Sequence, residues 1–210
     1  MTRLCVLDVD STLITAEVIE LIAERAGTRE EVARITDAAM RGEIDFGQSL
    51  TARVATLRGL PVSVLDDVLA EVEFTPGAEN LVATLQGEGW IVALVSGGFR
   101  EIVEPLGARL GITLTRANGL EIDADGLLTG RTRGPVIDRE AKATALREFA
   151  AESGIAISAT VAIGDGANDL AMMKAAGLGI AFNAKPIVQE RADIALNSPR
   201  LDAALEVIER

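Results

Sequence analysis

Asp8-Val9-Asp10-Ser11-Thr12 is the stretch that decides the fold, because it closes the apolar segment Leu4-Val9 with two acids. A short apolar segment of this kind is typical of a buried strand, and side chains two residues apart lie on the same side of the chain. The carboxyl ends of parallel strands form the ligand-binding edge of an open α/β sheet. Two carboxylates this close repel each other by roughly 4 kcal/mol at an effective dielectric constant of about 20. A divalent cation offsets such repulsion, and ligands that are all oxygen favour Mg²⁺ over Zn²⁺.

The composition excludes several classes of protein. Of the 210 residues, 49% are hydrophobic, so the chain can bury a sizeable core. The net charge of −12 disfavours nucleic acid and anionic membranes as partners. The chain has no histidine, which excludes Ser-His-Asp and Cys-His catalysis and any zinc site with a histidine ligand. Acid and base chemistry must therefore come from Asp, Glu, Lys, Arg or Cys.

Cys5 is the only cysteine, so neither an internal disulfide nor a cysteine-based metal cluster can form. Its place inside an apolar segment predicts a buried, inert thiol. No apolar run approaches the length of a membrane span. We therefore expect a cytoplasmic protein with no membrane or nucleic-acid partner. We also expect it to act on a small molecule and to be a monomer or a homodimer.

Strand-like and helix-like segments alternate through most of the chain, which predicts a parallel sheet covered by helices on both faces. Besides Leu4-Val9, the segments with the pattern of buried strands are Trp90-Val95, Thr160-Ile163, Leu178-Phe182 and Asp193-Leu196. The helical segments between them are Pro76-Gln86, Phe99-Leu110, Arg139-Glu152, Asp169-Ala176 and Pro186-Arg191. The predicted fold class is α/β, with a Rossmann-like, doubly wound parallel sheet as its core.

Residues 14–74 interrupt this alternation, because four helical patterns follow the first strand with no strand between them. The first of them, Val18-Ala26, has apolar residues at helical spacing. We therefore predict a small helical cap over residues 14–74, inserted into a core domain made of residues 1–13 and 75–210. Alternating apolar residues on both sides of an Asp-Gly pair predict a β-hairpin flap from Leu120 to Gly134.

Three more polar features accompany the acid pair. Ser96-Gly97-Gly98 follows a predicted strand and offers a hydroxyl and backbone N–H groups to an anion, although an ordinary strand-to-helix turn has the same composition. Lys142 lies early in a predicted helix, where a solvated surface lysine is the ordinary alternative. Gly164-Asp165-Gly166-Ala167-Asn168-Asp169 also follows a predicted strand, and helix capping explains its last two residues but not Asp165.

These features resemble the four motifs of the haloacid dehalogenase superfamily of phosphotransferases. They also occur in the same order along the chain as those motifs. The matching residues are D-V-D-S-T at 8–12, S-G-G at 96–98, Lys142, and G-D-G-A-N-D at 164–169. The insertion after the first motif resembles the first type of cap in that superfamily. Additional stretches resemble the phosphoserine phosphatases within it: E-V-I-E-L-I-A at 17–23, A-M at 39–40, F-G-Q-S-L at 46–50, V-S-G-G-F at 95–99 and A-K-P at 184–186. Val9 departs from the Phe or Met of many relatives but stays apolar.

The resemblance implies a role for each acid of the first motif. Asp8 is the expected nucleophile, whose carboxylate attacks phosphorus in line and forms an aspartyl-phosphate. Asp10 is the expected general acid and base, which protonates the departing oxygen and then takes a proton from the hydrolytic water. Mg²⁺ is the expected cofactor, held by Asp8, the backbone carbonyl of Asp10, and Asp165.

The other motifs imply a binding site for the phosphoryl group. Ser96, the N–H of Gly97, and Lys142 are expected to cradle its oxygens. Asn168 is expected to position either the substrate or Lys142. Asp169 is expected to lie behind these residues and not to bind the metal directly.

Substrate choice is expected to come from the cap. Glu17 resembles the residue that receives the substrate ammonium, although its helix also carries an ordinary solvated acidic face. Arg53 resembles the residue that grips the substrate carboxylate; by spacing alone it either extends past the core to solvent or meets a carboxylate in a cleft. Met40 and Phe46 are expected to close the pocket, with plain core packing as the alternative for both.

The implied function is Mg²⁺-dependent hydrolysis of O-phosphoserine to serine and phosphate, the last step of serine biosynthesis. The same motifs suit phosphothreonine or phosphoryl transfer to homoserine, so those alternatives stay open. A phospho-accepting signalling domain is a further alternative, but such domains lack an acid two residues after the acceptor and a cap of this size. The first strand begins almost at Met1, which leads us to expect no amino-terminal regulatory domain.

Overall fold

One seven-stranded sheet organises the computed structural model, which describes residues 2–40 and 43–208 except the side chains of Asp37, Ala39 and Met40. The strands are β1 (Leu4–Leu7), β2 (Ile91–Phe99), β3 (Leu114–Ile122), β4 (Leu128–Arg133), β5 (Thr160–Gly164), β6 (Leu178–Phe182) and β7 (Ile194–Leu196). The helices are α1 (Val18–Ala26), α2 (Arg29–Met40), α3 (Phe46–Ala55), α4 (Val64–Glu71), α5 (Ala78–Gly87), α6 (Arg100–Arg109), α7 (Arg139–Glu152), α8 (Leu170–Ala175), α9 (Pro186–Gln189) and α10 (Leu205–Ile208). No helix in these two ranges combines the length and the apolar character needed to cross a bilayer.

The order of the strands places β1 at the centre, since the sheet runs β4-β3-β2-β1-β5-β6-β7. β1 pairs in parallel with β2 on one side and with β5 on the other. The chain therefore builds the sheet outward in one direction and then in the other, and the change of direction occurs beside β1. In open α/β sheets ligands bind in the crevice at this point. The predicted α/β class and parallel core are confirmed.

The side chains of β1 alternate between the two faces of the sheet and pack into the core on both of them. Leu4 and Val6 belong to one apolar cluster and Cys5 and Leu7 to another, and all four side chains are buried. Successive strand residues point to opposite faces, so a continuous apolar run is the pattern of a strand covered on both sides. Burying one such Leu or Val side chain contributes about 1.5–3 kcal/mol, which anchors the strand whose end carries the acid pair.

Helices α1–α4 form the predicted insertion after β1, and backbone pairing closes the base of this insertion. Ile14 and Phe74 form an antiparallel bridge, and the N–H of Thr15 donates to the carbonyl of Glu73 at 3.1 Å. The helical insertion after the first strand is therefore confirmed. The exact domain bounds, 14–74 for the cap, stay a prediction.

The predicted hairpin is present but is not a separate flap. β3 and β4 pair antiparallel around a turn in which the Asp123 carboxylate accepts hydrogen bonds from the N–H groups of Asp125 and Leu127, both at 2.9 Å. β3 begins at Leu114, earlier than predicted, and its first half pairs in parallel with β2. The hairpin is thus the outer edge of the main sheet, continuous with the core.

The hairpin also holds the cap through backbone hydrogen bonds. The N–H of Gly59 donates to the carbonyl of Leu128 at 2.8 Å, and the N–H of Leu128 donates to the carbonyl of Leu60 at 2.8 Å. The N–H of Val62 donates to the carbonyl of Gly126 at 2.8 Å. The loop between α3 and α4 is therefore fastened to the core at a second place, away from its base.

Several predicted boundaries were wrong by a few residues, and two of them have a clear physical reason. β2 continues to Phe99 instead of ending at Val95, because the chain beyond Ser96 stays extended and pairs again with β3. α5 begins at Ala78 instead of Pro76, because Gly77 precedes it with φ at 83°, a conformation that ends the preceding turn.

Candidate active site

A cavity of about 520 Å³ lies between the carboxyl ends of the central strands and the cap. Eight of the residues singled out in the sequence line it: Asp8, Asp10, Glu17, Phe46, Arg53, Gly97, Asp165 and Asn168. Ser96 and Lys142 lie directly behind it and contact its acids. The side chain of Met40 lies outside the part of the chain that the structure describes. Another cavity, of about 550 Å³ between α3 and the hairpin, contains neither acid of the pair.

The backbone after β1 turns sharply and so brings both acids to the cavity. The N–H of Asp8 still donates to the carbonyl of Ile163 on β5, at 2.9 Å, so Asp8 extends the strand pairing. Val9–Leu13 then form one wide turn, in which Ser11 has φ at 57° and ψ at 5°. Left-handed backbone is uncommon for a residue other than glycine and concentrates at functional sites.

Lys142 joins two buried carboxylates. Its Nζ atom lies 2.5 Å from Oδ1 of Asp8 and 2.6 Å from Oδ1 of Asp169, and all three side chains are buried. Burial lowers the pKa of Lys142, but the charges and hydrogen bonds of the two carboxylates raise it more, so its pKa lies above the ordinary value. The lysine is therefore held as a cation, which the sequence pattern alone could not distinguish from a surface lysine.

The carboxyl of Asp8 is shifted toward its neutral form. Burial raises its pKa well above the ordinary range, and the charge of Asp169 raises it further, while the nearby Lys142 lowers it. One ammonium group is thus insufficient to compensate the acids that surround it. A site with this balance of charge favours an additional cation.

Asp10 is held at both carboxylate oxygens. The N–H of Val18, at the start of α1, donates to Oδ1 at 3.0 Å, and the Ser96 hydroxyl donates to Oδ2 at 3.4 Å. Burial and the charge of Glu17 raise the pKa of Asp10 to about 7, and the two hydrogen bonds lower it. A carboxyl with a pKa near neutrality can both release and accept a proton at that pH.

Asp165 approaches the same cavity from the end of β5. The Thr12 hydroxyl donates to its Oδ1 atom at 3.2 Å. Burial, followed by the charges of Asp169 and Glu17, raises the pKa of Asp165 to about 7. Thr12, which is fully buried in the turn after β1, therefore orients an acid that lies just beyond the end of β5.

Asp8, Asp165 and Asp169 form a cluster that can hold a metal ion, since one carboxylate oxygen of each lies within 4.8 Å of the others. All donors are oxygens, which suits a hard divalent cation such as Mg²⁺. The cluster differs from the ligand set expected from the sequence, because Asp169 takes part in it. Asp169 also accepts a hydrogen bond from the N–H of Gly166, at 3.0 Å.

The Ser96-Gly97-Gly98 segment packs tightly against the acid pair. The N–H of Gly98 donates to the Ser96 hydroxyl oxygen at 2.8 Å. A Cβ atom on Gly98 would lie 2.6 Å from Oδ2 of Asp10, closer than such atoms approach. Glycine at this position is therefore required for the backbone to approach the carboxylate.

The cap contributes α3 to the opposite wall of the cavity. The Asp45 carboxylate caps this helix by accepting from the N–H of Gln48 at 2.9 Å. The ring of Phe46 reaches the core, because its Cζ atom lies 3.2 Å from the place where a Cβ atom on Gly97 would be. Arg53 is half-buried on the same helix, and its Nε–H donates to the carbonyl of Ser49 at 3.3 Å.

The charge of Arg53 is directed at an acidic cavity. Burial lowers the pKa of its guanidinium, while the charges of Glu17 and Asp10 raise it. Glu17 immediately precedes α1 and accepts a hydrogen bond from the Ser11 hydroxyl at 2.7 Å. The cation and the acid of the cap thus line the same cavity, as an amino-acid head group requires.

Ser49, Thr12 and Asn118 are three buried polar residues at the site to which the sequence patterns gave no individual role. Ser49 lines the cavity, and its hydroxyl has no hydrogen-bond partner. A buried hydroxyl without a partner is unfavourable, so it indicates a group that a ligand satisfies. The one sequence signal for Ser49 is its place on the inward face of α3, one turn before Arg53.

Comparison with known proteins identifies the family of this chain. The model of the haloacid dehalogenase-like hydrolases matches residues 5–174. The chain is 56% identical, over 97% of its length, to phosphoserine phosphatase SerB2 of Mycobacterium tuberculosis, and 58% identical, over 98%, to a phosphoserine phosphatase of Streptomyces coelicolor. It spans only 49% and 50% of those two proteins. The phosphoserine phosphatase of Streptococcus thermophilus is 50% identical over 98% of this chain and 95% of that protein.

Solved structures of similar proteins extend the comparison to the whole fold. A phospho-aspartyl intermediate analogue of phosphoserine phosphatase superposes with a TM-score of 0.92 and 43% identity, covering 98% of each chain. A substrate-bound phosphoserine phosphatase gives a TM-score of 0.93 and 42% identity, covering 99% of this chain and 98% of the other. The chain therefore belongs to the phosphoserine phosphatase family of the haloacid dehalogenase-like hydrolases.

Proposed function

We propose that this chain hydrolyses O-phosphoserine to serine and inorganic phosphate through an aspartyl-phosphate on Asp8. One observation carries the proposal: a single cavity is lined by the acid pair at one end and by Glu17 and Arg53 at the other. The first end suits a phosphoryl group and the second suits an amino-acid head group. The substrate-bound relative supports the same assignment.

Asp8 is the proposed nucleophile. It lies at the end of the central strand and reaches the cavity, and Lys142 holds its Oδ1 atom. This contact leaves the other oxygen of Asp8 to attack phosphorus in line and displace the serine oxygen. Lys142, with its pKa raised, stays positively charged beside the phosphoryl oxygens and stabilises the charge that they carry.

Asp10 is the proposed proton carrier. In the first step it protonates the departing serine oxygen, and in the second it takes a proton from the water that hydrolyses the aspartyl-phosphate. Its pKa of about 7 supports both directions of transfer near neutral pH. The hydrogen bonds from Val18 and Ser96 hold the two oxygens of Asp10 in place at the cavity.

The phosphoryl group is proposed to lie against Ser96, the N–H of Gly97, and Lys142, with Asn168 at its side. Gly97 and Asn168 line the cavity, and Ser96 contacts Asp10 from behind. Donors fixed in place before the reaction stabilise developing charge without rearrangement.

Asp8, Asp165 and the backbone carbonyl of Asp10 are the proposed ligands of Mg²⁺, with Asp169 in the same acidic cluster. When bound, the cation supplies the positive charge that lets an anionic carboxylate approach an anionic phosphate. The raised pKa values of Asp8 and Asp165 support a cation at this place, because their carboxylates have too little compensating charge.

Specificity is proposed to come from the cap, where Glu17 receives the ammonium and Arg53 the carboxylate of phosphoserine. Phe46 and Met40 are proposed to close the pocket over the substrate and exclude water. A second candidate is the same chemistry on phosphothreonine or with homoserine as acceptor, because one extra methyl group changes binding by only about 1–3 kcal/mol. The cytoplasmic location and the monomeric or dimeric state stay predictions from the sequence.

A panel of phosphomonoesters tests the proposal. Phosphate release is measured with L-phosphoserine, D-phosphoserine, L-phosphothreonine and p-nitrophenyl phosphate, each with Mg²⁺ and with EDTA. We expect the highest kcat/KM for phosphoserine and no turnover with EDTA. A preference for phosphothreonine, or phosphoryl transfer to added homoserine, favours the second candidate. A long-lived phosphoprotein without phosphate release contradicts both and favours a signalling domain.

A further inference from the structure

β2 leaves the sheet at Ser96-Gly97-Gly98 and then returns to it. Val95 is opposite Arg116 on β3 and Phe99 is opposite Asn118, so four residue steps on β2 match two steps on β3. Such bulges redirect the backbone and are frequent beside active sites. They also interrupt the ladder of backbone hydrogen bonds, so the bulged groups need other partners.

Asn118 supplies that partner from its side chain. Its Nδ2 donates to the carbonyl of Gly97 at 2.7 Å, and the side chain is 1% exposed. The N–H of the next residue, Gly98, donates to the Ser96 hydroxyl at 2.8 Å. The Gly97–Gly98 peptide is therefore held at both ends, by Asn118 at its carbonyl and by Ser96 at its N–H.

The other end of the same amide holds the loop that leads to Lys142. The N–H of Ile137 donates to Oδ1 of Asn118 at 2.8 Å. Ile137 directly precedes Asp138, which caps α7 by accepting from the N–H of Ala141 at 2.9 Å. Lys142 closes the first turn of α7, with its own N–H donating to the carbonyl of Asp138 at 2.9 Å. One buried amide thus connects the bulge to the helix that carries the lysine.

We propose that Asn118 is a positioning residue for phosphoryl binding, which fixes the bulge at Gly97 and the start of α7 in a single arrangement. The proposal rests on the proposed function only in placing the phosphoryl group at Ser96, Gly97 and Lys142. Asn118 touches none of the reacting atoms and acts through the backbone of Gly97 and Ile137. Its role is to keep two phosphate-binding groups, which come from distant parts of the chain, at a constant separation.

Two variants of Asn118 and one matched control test this proposal. Asn118→Leu removes both hydrogen bonds with the same number of side-chain heavy atoms, and Asn118→Asp keeps the acceptor but removes the donor. Thr160→Val is the control, because Thr160 is also buried and also makes two hydrogen bonds, to Ile157 and from Gly177 at 2.7 and 3.1 Å. Those bonds lie at the amino end of β5, opposite the site. The probes are inorganic phosphate, titrated by calorimetry with Mg²⁺ present, and the kinetics of phosphoserine hydrolysis.

We expect both Asn118 variants to weaken phosphate binding and to lower kcat/KM by about ten-fold, the effect of one lost hydrogen bond of ordinary strength. We expect Thr160→Val to lose stability but to keep the phosphate affinity of the unmodified protein. The activity of Asn118→Asp, relative to the unmodified protein at the same pH, should rise as the pH falls, because a protonated carboxyl can donate to Gly97 again. That ratio should stay flat for Thr160→Val.

Unchanged phosphate affinity in both Asn118 variants overturns the proposal, as does an equal loss of affinity in the Thr160→Val control. If Asn118→Leu fails to fold, Asn118→Asp alone decides through its pH profile. An unmodified protein that binds phosphate but leaves phosphoserine intact contradicts the proposed function, and the phosphate titrations still test Asn118. A protein that binds no phosphate contradicts both.

Discussion

The Nζ atom of Lys142 lies 2.5 Å from Oδ1 of Asp8, and both side chains are buried. The same ammonium holds Asp169 at 2.6 Å. A buried ion pair contributes little net stability compared with apolar groups of the same size, but removing one partner leaves a charge buried without compensation. The contact is therefore more important for keeping the acids in place than for holding the fold together.

Replacing this lysine should destabilise the metal-free protein. We expect Lys142→Met to lower the free energy of unfolding by about 3–5 kcal/mol at pH 8, measured by urea denaturation, since two buried acids lose the cation that contacts both of them. The double variant Lys142→Met/Asp8→Asn should be more stable than the single variant, because it removes one of the orphaned charges. A single variant as stable as the unmodified protein would contradict the ion-pair description.

The proposed nucleophile gives a second prediction. Asp8→Asn should abolish turnover and prevent any covalent phosphorylation, because an amide cannot form an acyl-phosphate. Phosphoserine labelled with ³²P, acid quenching and gel analysis detect the covalent species. Asp10→Asn is the matched control: it keeps the nucleophile but loses the proton carrier, so we expect both steps to slow while Asp8 still becomes labelled on longer incubation. Retained turnover in Asp8→Asn excludes this residue as the nucleophile.

Arg53 should affect one class of substrate selectively. We expect Arg53→Ala to raise KM for phosphoserine by about ten- to one-hundred-fold, the loss of one hydrogen bond to a charged group. KM for p-nitrophenyl phosphate, which has no carboxylate, should change much less. Arg58→Ala is the control, since Arg58 is exposed just beyond the end of the same helix and does not line this cavity. Equal losses on both substrates would count against a carboxylate-binding role.

Asp10 and Asp165 should make the metal-free protein less stable as the pH rises. Each has a pKa of about 7 in the folded protein and an ordinary value of 3.8. Between these values the folded protein binds more protons than the unfolded chain, so the free energy of unfolding falls as the pH rises toward 7 and is level above it. The slope is at most about 1.4 kcal/mol per pH unit for each group.

Thermal unfolding in EDTA at pH 6 and pH 8 checks this expectation, and the higher Tm should be found at pH 6. Added Mg²⁺ should raise the Tm more at pH 8, where both carboxyls are ionised and ready to bind it. Asp165→Asn should flatten the dependence on pH. A metal-free protein that is more stable at pH 8 than at pH 6 would show that these carboxyls are not held in their neutral form.

The hydroxyl of Ser49 should have opposite effects on stability and on binding. Ser49→Ala removes a buried group that has no partner, so we expect the free energy of unfolding to rise by up to about 1 kcal/mol. We expect KM for phosphoserine to rise as well, because Ser49 lines the cavity one helical turn before Arg53. Ser63→Ala, at an exposed position before α4, is the control and should leave KM unchanged. A Ser49→Ala protein with the KM of the unmodified enzyme would leave the hydroxyl without a binding role.

The central strands could be predicted because their sequence signals are local. The run Leu4–Leu7 is apolar without interruption, as burial on both faces requires, and the acids begin where it ends. The first half of β3 could not be predicted, because Thr115 and Arg116 lie at the partly exposed side of the sheet and give no apolar run. Ser96-Gly97-Gly98 was interpreted as the end of β2, since a local pattern cannot show that the strand resumes opposite a distant partner.

The grouping of polar residues at one edge of the sheet could be predicted, but their individual contacts could not. Parallel strands end at a common edge, so the acids at 8, 10 and 165 were expected to meet. The bonds of Lys142 to Asp8 and Asp169 span 134 and 27 residues of sequence, and neither has a local signature. Asp is also a residue type that often caps a helix, and capping was a sufficient explanation for Asp169. The sequence therefore offered no reason to expect its contact with Lys142.

Backbone hydrogen bonds attach the cap to the core at two places, at Ile14 and Phe74 and again where Leu60 meets Leu128, and the Arg109 guanidinium on α6 also donates to the carbonyl of Leu69 at 3.3 Å. Two attachments define a line, and rotation about that line is the motion that preserves both sets of hydrogen bonds. α3 ends near the second attachment and extends about 15 Å from it, at 1.5 Å per residue. Arg53 lies near the second attachment and so near that line, while Phe46 lies a helix length away from that attachment. Such a rotation would therefore displace Arg53 little and leave the ring of Phe46 free to move away from Gly97.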